Sequence, residues 1–271
     1  MSLQLTKPDI SLEDNKLTEK KLWETYWKEK PDVIEIRKKR RQLFLNEILS
    51  LFDKYLPVNE NYHALEIGGA PGRYLMYFVK NFKYHAHSLD YSKIGNEQTE
   101  KYFATAGIPI KVYERDLFLD NTDLPKFDVV FSLGLIEHFE NPELVVSKHV
   151  ELLKPGGILL LGAPNFSGIY HLFLKILAPS HDKTHNLKTM DIANWKNFET
   201  QLPITPIFKG YVGGFEPLVM KKMENKKFLT RFLHFVVQVL MVIFSFQFKF
   251  LRRFNSKFWS GYLIGIYKKN I

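Results

Sequence analysis

The apolar positions of the chain follow two patterns, one helical and one extended. Before residue 57 the spacing predicts a helix over Leu22–Lys30, and a second helical stretch that begins at Pro31 and carries apolar residues through Phe52. After Pro57, short apolar runs alternate with amphipathic helices. The runs predicted to be strands are His63–Ile67, Tyr84–Leu89, Ile110–Tyr113, Phe127–Phe131 and Ile158–Leu161. Alternating strands and helices predict an α/β fold with a doubly wound parallel sheet that is covered on both faces.

The ends of the chain are less regular. Residues 1–20 are polar and predict a poorly structured lead-in; they contain no apolar signal segment, so we expect a cytoplasmic protein. Ile204–Val212 and Tyr262–Tyr267 are candidates for two further strands. We therefore predict an N-terminal helical extension over 1–57 and a main domain over 58–271, with cap insertions at about 166–200 and 215–258.

The first predicted strand ends in an acid, Glu66, and runs into a glycine-rich turn with Gly68, Gly69 and Gly72. Glycines let a backbone approach a ligand closely, and the helix that follows offers free N–H groups. The turn does not fit the dinucleotide fingerprint, because Ala70 stands at its second glycine position, and no Gly-Lys-Ser/Thr follows as in a P-loop. On its own, the segment is equally compatible with a simple tight turn.

Two more acids end the next strands. Asp90 follows the second strand, where a carboxylate can accept hydrogen bonds from a ribose diol, and Asp116 follows the third, where it can accept one from the amino group of a purine. Parallel sheets bind ligands beyond the carboxyl ends of their strands. Three acids at three successive strand ends favour a nucleoside-containing cofactor.

With these motifs the sequence resembles the class I S-adenosylmethionine-dependent methyltransferases from about Leu43 to Phe166. The segment from Glu66 to Gly72 is similar to the family's first motif, which contacts the amino-acid part of the cofactor. Asp90 and Asp116 match its ribose- and adenine-binding acids. Phe127–Ser132 resembles the fourth strand, and Ile136–Phe139 and Leu152–Gly157 resemble later motifs.

The resemblance implies S-adenosyl-L-methionine as cofactor and a Rossmann-like sheet of seven strands, the last of them antiparallel. It implies the following cofactor-binding residues: Glu66, Gly68, Gly69, Gly72, Asp90, Tyr91, Asp116, Leu117 and Ser132. The departure is Ala70, where the family more often has glycine; alanine keeps the turn small.

Two histidines are candidates for a general base. His138 follows the fourth strand, and an imidazole has a pKa suited to removing a proton from a hydroxyl, although it can equally be a structural residue. His185 belongs to the segment His181–Asn186, which is compatible with a base, a substrate contact, a metal site or a solvated turn. Asn165 can orient a substrate or cap a helix. The chain has no cysteine, which excludes disulfides and thiolate sites, and we predict no metal.

The charge is concentrated near the C-terminus. The net charge of the chain is +9, and the segment from Met220 onward contains eleven basic residues and one acid. Within this region Phe232–Phe248 has no charged residue. On a helix a sector of about 60° would hold Arg231, His234, Gln238, Ser245, Lys249 and Arg252. Three interpretations are open: a helical cap over the substrate pocket, an amphipathic helix on an anionic membrane surface, or a membrane span.

These patterns predict a methyltransferase that acts on an oxygen or nitrogen of a small or lipid-linked acceptor. The expected partners are that substrate and an anionic membrane surface, bound peripherally at the inner face. The alternatives are a nucleic-acid methyltransferase, which the basic region would suit, and a cofactor-binding protein without catalysis. The stretch Glu137–Phe139 also resembles cyclopropane-forming lipid enzymes, but the absence of cysteine counts against that reading.

Overall fold

A computed structural model describes residues 15–29, 33, 35–38, 43–177, 184–215, 232, 235–236, 239–240, 243 and 254–271. Within these residues the chain forms one seven-stranded sheet in the order β3-β2-β1-β4-β5-β7-β6, in which β7 runs antiparallel to both of its neighbours. The strands are β1 (His63–Ile67), β2 (His85–Asp90), β3 (Ile110–Glu114), β4 (Phe127–Leu133), β5 (Leu153–Pro164), β6 (Ile204–Phe215) and β7 (Ser260–Lys269). This confirms the predicted α/β doubly wound Rossmann-like fold.

The described helices precede or connect these strands. They are α1 (Lys20–Lys28), α2 (Leu43–Tyr55), α3 (Arg73–Phe82), α4 (Lys93–Thr105), α5 (Pro142–Leu152), α6 (Ile169–Leu177) and α7 (Lys196–Gln201). Helix α5 shows why the sequence signals work: the Asn141 side chain accepts a hydrogen bond from the Leu144 N–H, and Pro142 occupies the first turn, where a missing N–H costs nothing. Short 3₁₀ turns at Ile136–His138 and Leu187–Met190 follow β4 and α6.

The sheet separates two apolar cores. Because successive side chains of a strand point to opposite faces, Val129 packs on one side of β4 and Val130 on the other. Helices α5 and α7 cover one face, while α2, α3 and α4 cover the other. Phe52 of α2 lies in the same core as Ile264 of β7, so the boundary predicted at residue 57 divides elements that share a core.

Two details of the N-terminal prediction are wrong. The second helix does not begin at Pro31: the described residues 35–38 are non-helical and α2 begins at Leu43, because local spacing alone cannot fix where tertiary packing starts a helix. Residues 15–20 are not a loose lead-in, since Asn15 and Thr18 are buried and Leu17 donates its N–H to the His138 carbonyl.

The C-terminal insertion exposes apolar side chains. Six of its described residues between 232 and 243 are helical, and five of them are at least 40% exposed. These five, the exposed apolar face, are Phe232, Phe235, Val239, Leu240 and Ile243. No helix in the described part of the chain is long and apolar enough to cross a membrane.

Candidate active site at the carboxyl ends of the strands

The glycine-rich turn after β1 packs around the Glu66 side chain. Gly68 and Gly72 have left-handed φ angles of 63° and 77°, which glycine adopts without strain. A Cβ atom on Gly69 would lie 2.2 Å from Cδ of Glu66, so only glycine leaves room for this carboxyl group. The turn therefore brings backbone and carboxylate together at the start of α3.

Glu66 is 1% exposed, and its Oε2 has no hydrogen-bond partner. Burial raises the pKa of its carboxyl group well above the ordinary value, a bond from the Leu75 N–H opposes that shift, and the Asp90 charge adds to it. A buried acceptor oxygen without a donor is costly, so this site suits a ligand that brings a positive charge and N–H groups.

Asp90, at the end of β2, is buried but well bonded. Its Oδ1 accepts the Ser92 N–H at 2.8 Å, and the N–H groups of Ala70 and Tyr91 also bond to the carboxylate. Burial raises its pKa to about 6 in spite of these bonds. Because a carboxylate has about four acceptor positions, it keeps capacity for a hydroxyl donor such as a ribose.

Asp116, after β3, is held in a similar way. Its Oδ1 accepts the Phe118 N–H at 3.0 Å, and its Oδ2 forms an ion pair with Lys16. Lys16 Nζ also lies 5.4 Å from the centre of the Tyr91 ring. Asp116 and Tyr91 are thus neighbours at this edge of the sheet.

Residues 15–28, called the strap from here on, cross this edge of the sheet. Glu24 accepts the N–H groups of Lys93 and Ile94 and so caps α4, and Trp23 stacks edge-to-face on His138 at 5.1 Å. The sequence predicted a helix in this segment but not its place at the site, because the contacts of the strap are long-range.

The side chains of Leu117 and Ser132 are engaged away from the three acids. Leu117 is part of the apolar core. The Ser132 hydroxyl is 2.9 Å from Nε2 of His149, a histidine on α5 whose Nδ1 bonds to the Val145 carbonyl. Burial lowers the pKa of His149 to about 4, so this buried pair is neutral. Only the backbone of Ser132 remains for a role in cofactor binding.

The turn after β4 brings the two candidate bases together. The ring centres of His138 and His185 are 4.6 Å apart, and Phe166 stacks edge-on against His185. Nδ1 of His138 lies 2.8 Å from the Thr184 carbonyl oxygen; a carbonyl only accepts, so Nδ1 carries the proton and Nε2 is the basic nitrogen. Nε2 lies 3.7 Å from Oε1 of Glu137.

Two tyrosines complete this part of the site, and sequence reasoning missed both. Tyr74 follows the glycine turn on α3, and burial raises its pKa to about 12. Tyr262 comes from β7, and burial together with the neighbouring Glu137 carboxyl raises its pKa well above the ordinary value. Tyr262 is far from the motifs in sequence, and only the antiparallel pairing of β7 with β5 brings it here.

The remaining polar candidates are structural or lie outside the described residues. The Asn165 side chain donates to the carbonyl oxygens of Lys257 and Ser260 and accepts from the Ser167 N–H, so it fixes the turn after β5. His181 and Asp182 lie outside the described residues. Among the residues that are described, no group of three His, Asp or Glu side chains is placed to hold a metal ion.

A mostly parallel sheet whose successive strand ends carry Glu66, Asp90 and Asp116 defines an α/β protein that binds a nucleoside cofactor. Residues 65–159 match the family model described as "Methyltransferase domain". Together with the fold, this match supports a methyltransferase of the class I S-adenosylmethionine-dependent family, with S-adenosylmethionine as its cofactor.

Solved structures with this fold differ in chemistry. The MccD protein superposes with a TM-score of 0.59 at 12% identity, over 82% of this chain and 96% of that one. Coclaurine N-methyltransferase, bound to N-methylheliamine and SAH, gives 0.59 at 15% identity over 88% and 77% of the two chains. The [4+2]-cyclase SpnF gives 0.56 at 12% identity over 91% and 90%. At such identities the likeness concerns the fold, so the acceptor must be inferred from the site itself.

The site fits S-adenosylmethionine on its own geometry. The unbonded Oε2 of Glu66 lies beside a turn that admits only glycine at position 69, which suits the ammonium group of the cofactor's amino-acid part. When bound, the cofactor supplies a methyl group on a positively charged sulfur.

Proposed function

We propose that the protein transfers this methyl group to an oxygen or nitrogen of a small or lipid-linked acceptor. The main observation in favour of a lipid-linked acceptor is the exposed apolar face between residues 232 and 243. The chemistry of transfer is an in-line displacement, for which the protein supplies positioning, exclusion of water and a proton acceptor.

In this proposal each acid has its own part of the cofactor. Glu66 takes the amino-acid part, Asp90 the ribose and Asp116 the adenine. Support comes from their order along the strand ends and from the donors that already orient Asp90 and Asp116. The turn at Gly68, Gly69 and Gly72 lets the backbone approach the ligand.

The histidines are the proposed proton acceptors. His138 is oriented by the Thr184 carbonyl, and His185 by the Thr184 hydroxyl at 2.8 Å from its Nδ1. Replacing the true base by glutamine is expected to lower turnover about 10²–10⁴-fold while cofactor affinity stays unchanged. The measurement is single-turnover transfer of labelled methyl groups to cell extract for His138→Gln and His185→Gln. Losses below tenfold in both variants would mean that neither histidine is the base.

The exposed apolar face supports a membrane surface as partner. On a helix its five residues lie within about 140°, on the side away from the polar sector that includes Arg231, His234 and Gln238. Exposed apolar residues close to a strongly basic sequence are typical of helices that lie in the interface of an anionic membrane. Leu172, Phe254 and Phe258 add exposed apolar side chains, and the last two come from the segment that Asn165 fixes at the edge of the sheet.

Liposome co-sedimentation tests this part of the proposal. Binding should rise with anionic lipid content and fall between low and high salt. Phe235→Ser and Leu240→Ser should each weaken it by up to about 1.5–3 kcal/mol, the value of a fully buried side chain. Val58→Ser and Leu119→Ser, which alter exposed apolar residues elsewhere, serve as matched controls. No sedimentation with anionic liposomes at low salt would contradict the proposal.

A nucleic-acid acceptor is the second candidate, and the basic C-terminal sequence favours it. The same labelled extract separates the two: label that extracts into organic solvent supports a lipid-linked acceptor, and label that nuclease releases indicates nucleic acid.

A further inference from the structure

Glu137 is a buried acid without a use in the fold. It is 2% exposed, and its Oε2 has no hydrogen-bond partner. Burial raises the pKa of its carboxyl group to about 8, opposed only by a bond from its own N–H. A carboxyl group held this way destabilises the fold, since one of its buried oxygens has no donor.

The space in front of Glu137 is shaped by a glycine. Gly134 has a left-handed φ of 85°, and among the described residues other than its chain neighbours, two atoms lie within 4 Å of the position that a Cβ on it would occupy. These atoms are Oε1 of Glu137, at 3.5 Å, and the hydroxyl oxygen of Tyr262, at 3.7 Å. A carboxylate oxygen and a phenol oxygen therefore face the same small open space.

This space adjoins the cofactor side of the site. Leu135, between Gly134 and Glu137, packs over Gly68, because a Cβ on Gly68 would lie 2.8 Å from its Cδ1. Besides burial, Tyr74 raises the pKa of Tyr262 and Glu66 raises the pKa of Tyr74, so these three side chains are neighbours. A group bound at Gly134 would thus sit next to the part of the site that takes the cofactor's amino-acid portion.

We propose that Glu137 and Tyr262 bind the acceptor atom and that this atom is an amine nitrogen. The inference rests on the proposed function and narrows it from oxygen or nitrogen to nitrogen. The unbonded Oε2 of Glu137, the charge of its carboxylate and the nearby Tyr262 hydroxyl oxygen suit a ligand with several N–H donors and a positive charge. An ammonium group supplies both, whereas a hydroxyl group supplies one hydrogen and no charge.

The proton balance of transfer follows from this placement. The bound ammonium gives one proton to Glu137 and becomes a neutral amine. The nitrogen lone pair then forms the new bond to the methyl carbon while the bond between that carbon and sulfur breaks and leaves its electron pair on sulfur. The methylated nitrogen keeps the positive charge, and the proton on Glu137 passes to solvent when the product leaves. The proton leaves Glu137 through Nε2 of His138, 3.7 Å from Oε1, so the histidine remains the base of the proposed function.

A binding experiment tests the site without turnover. Methylammonium and methanol form a matched pair of probes, small enough to enter whatever the true substrate is. With S-adenosylhomocysteine present, methylammonium should stabilise the full-length protein in a saturable manner, and methanol should not. Glu137→Gln should weaken methylammonium binding at least tenfold, whereas Glu140→Gln, at an exposed acid three residues away, should leave it unchanged. Equal methylammonium binding by wild type and Glu137→Gln, or none beyond that of sodium at equal concentration, would overturn the inference.

The position of the methyl group gives an independent test. Labelled product from extract is hydrolysed, and the label is located by mass spectrometry. Label on nitrogen supports the inference. Label on oxygen overturns it and leaves the proposed methyl transfer intact. Methylammonium binding that depends on Glu137, together with no transfer to any component of extract, would support the amine site and contradict the proposed function.

Discussion

The acids on the two sides of the site differ in their hydrogen bonds and in their burial. On the β2–β3 side the outer acids, Asp90 and Asp116, each accept the N–H of the residue two positions later. On the β1–β4 side the inner acids, Glu66 and Glu137, are more deeply buried, and each keeps one oxygen without a donor. An aspartate that is already oriented by backbone N–H groups suits neutral donors such as hydroxyl and amino groups. Buried glutamates that keep one unbonded oxygen suit cations, such as the ammonium group of the cofactor and the proposed amine acceptor.

The comparison predicts its largest effect on stability at Glu137. Its carboxyl pKa is about 8 when folded and has its ordinary value of 4.5 when unfolded. Below pH 4.5 the group is protonated in both states, so its burial carries no charge penalty. Between pH 4.5 and 8 it ionises only in the unfolded state, and the free energy of unfolding falls as the pH rises. Above pH 8 it is ionised in both states, and the penalty no longer changes. The change in unfolding free energy caused by Glu137→Gln should therefore differ between pH 5 and pH 9 by on the order of 4 kcal/mol, with the variant favoured at high pH.

Chemical denaturation of the apo protein at the two pH values measures this difference. Glu140→Gln should show no such dependence, because that side chain is exposed. If Glu137→Gln changes the unfolding free energy equally at both pH values, the carboxyl group of Glu137 is satisfied in the fold. The distinction between inner and outer acids would then disappear.

An outer acid should matter for the cofactor rather than for the fold. Asp90→Ala is expected to weaken S-adenosylmethionine binding by about 1.5–3 kcal/mol, the range for a hydrogen bond to a charged group. Because burial raises the pKa of Asp90 to about 6, wild-type affinity should fall as the pH drops through 6, and the variant should lack this change. Calorimetric titration at pH 5.5 and 7.5 measures both effects, with the exposed Asp120→Ala as control. Unchanged affinity in Asp90→Ala would remove this residue from the cofactor site.

The smallest effect is expected at the ion pair of Lys16 with Asp116. Both side chains are about a quarter exposed, and ion pairs of this kind contribute about 0.2–1 kcal/mol. Lys16→Met should thus lower the unfolding free energy by less than about 1 kcal/mol, and added salt should reduce the difference. Thermal denaturation at low and high salt checks this. A loss of several kcal/mol would show instead that the strap as a whole depends on this contact.

The strand ends were predictable because their signals are local. A buried strand, an acid and a glycine turn follow one another within a few residues, so the positions of Glu66, Asp90 and Asp116 could be inferred from the chain alone. Most strands lie within three residues of their predicted bounds, since a sheet covered on both faces requires continuous apolar runs. The exception is β5, which begins at Leu153, five residues before the predicted Ile158, because its polar, glycine-containing start gives no apolar signal.

The missed parts depend on contacts between distant segments. Tyr262 reaches Glu137 only through the pairing of β7 with β5, and Lys16 reaches Asp116 across 100 residues of sequence. The start of the second helix was misplaced for a related reason: proline permits a helix at its position but does not require one. Spacing also could not decide which side of the 222–258 insertion faces solvent, because an apolar helix face looks the same in sequence whether it is covered or exposed.

The strap contacts both the proposed cofactor site and the proposed acceptor site. Its Lys16 bonds to Asp116 on the cofactor side, and one residue later Leu17 bonds to the carbonyl of His138, beside the proposed acceptor site. On the proposed sites, one short segment therefore supports both the adenine-binding acid and the turn that carries Glu137 and His138. A change in the strap would then alter cofactor affinity and acceptor affinity together.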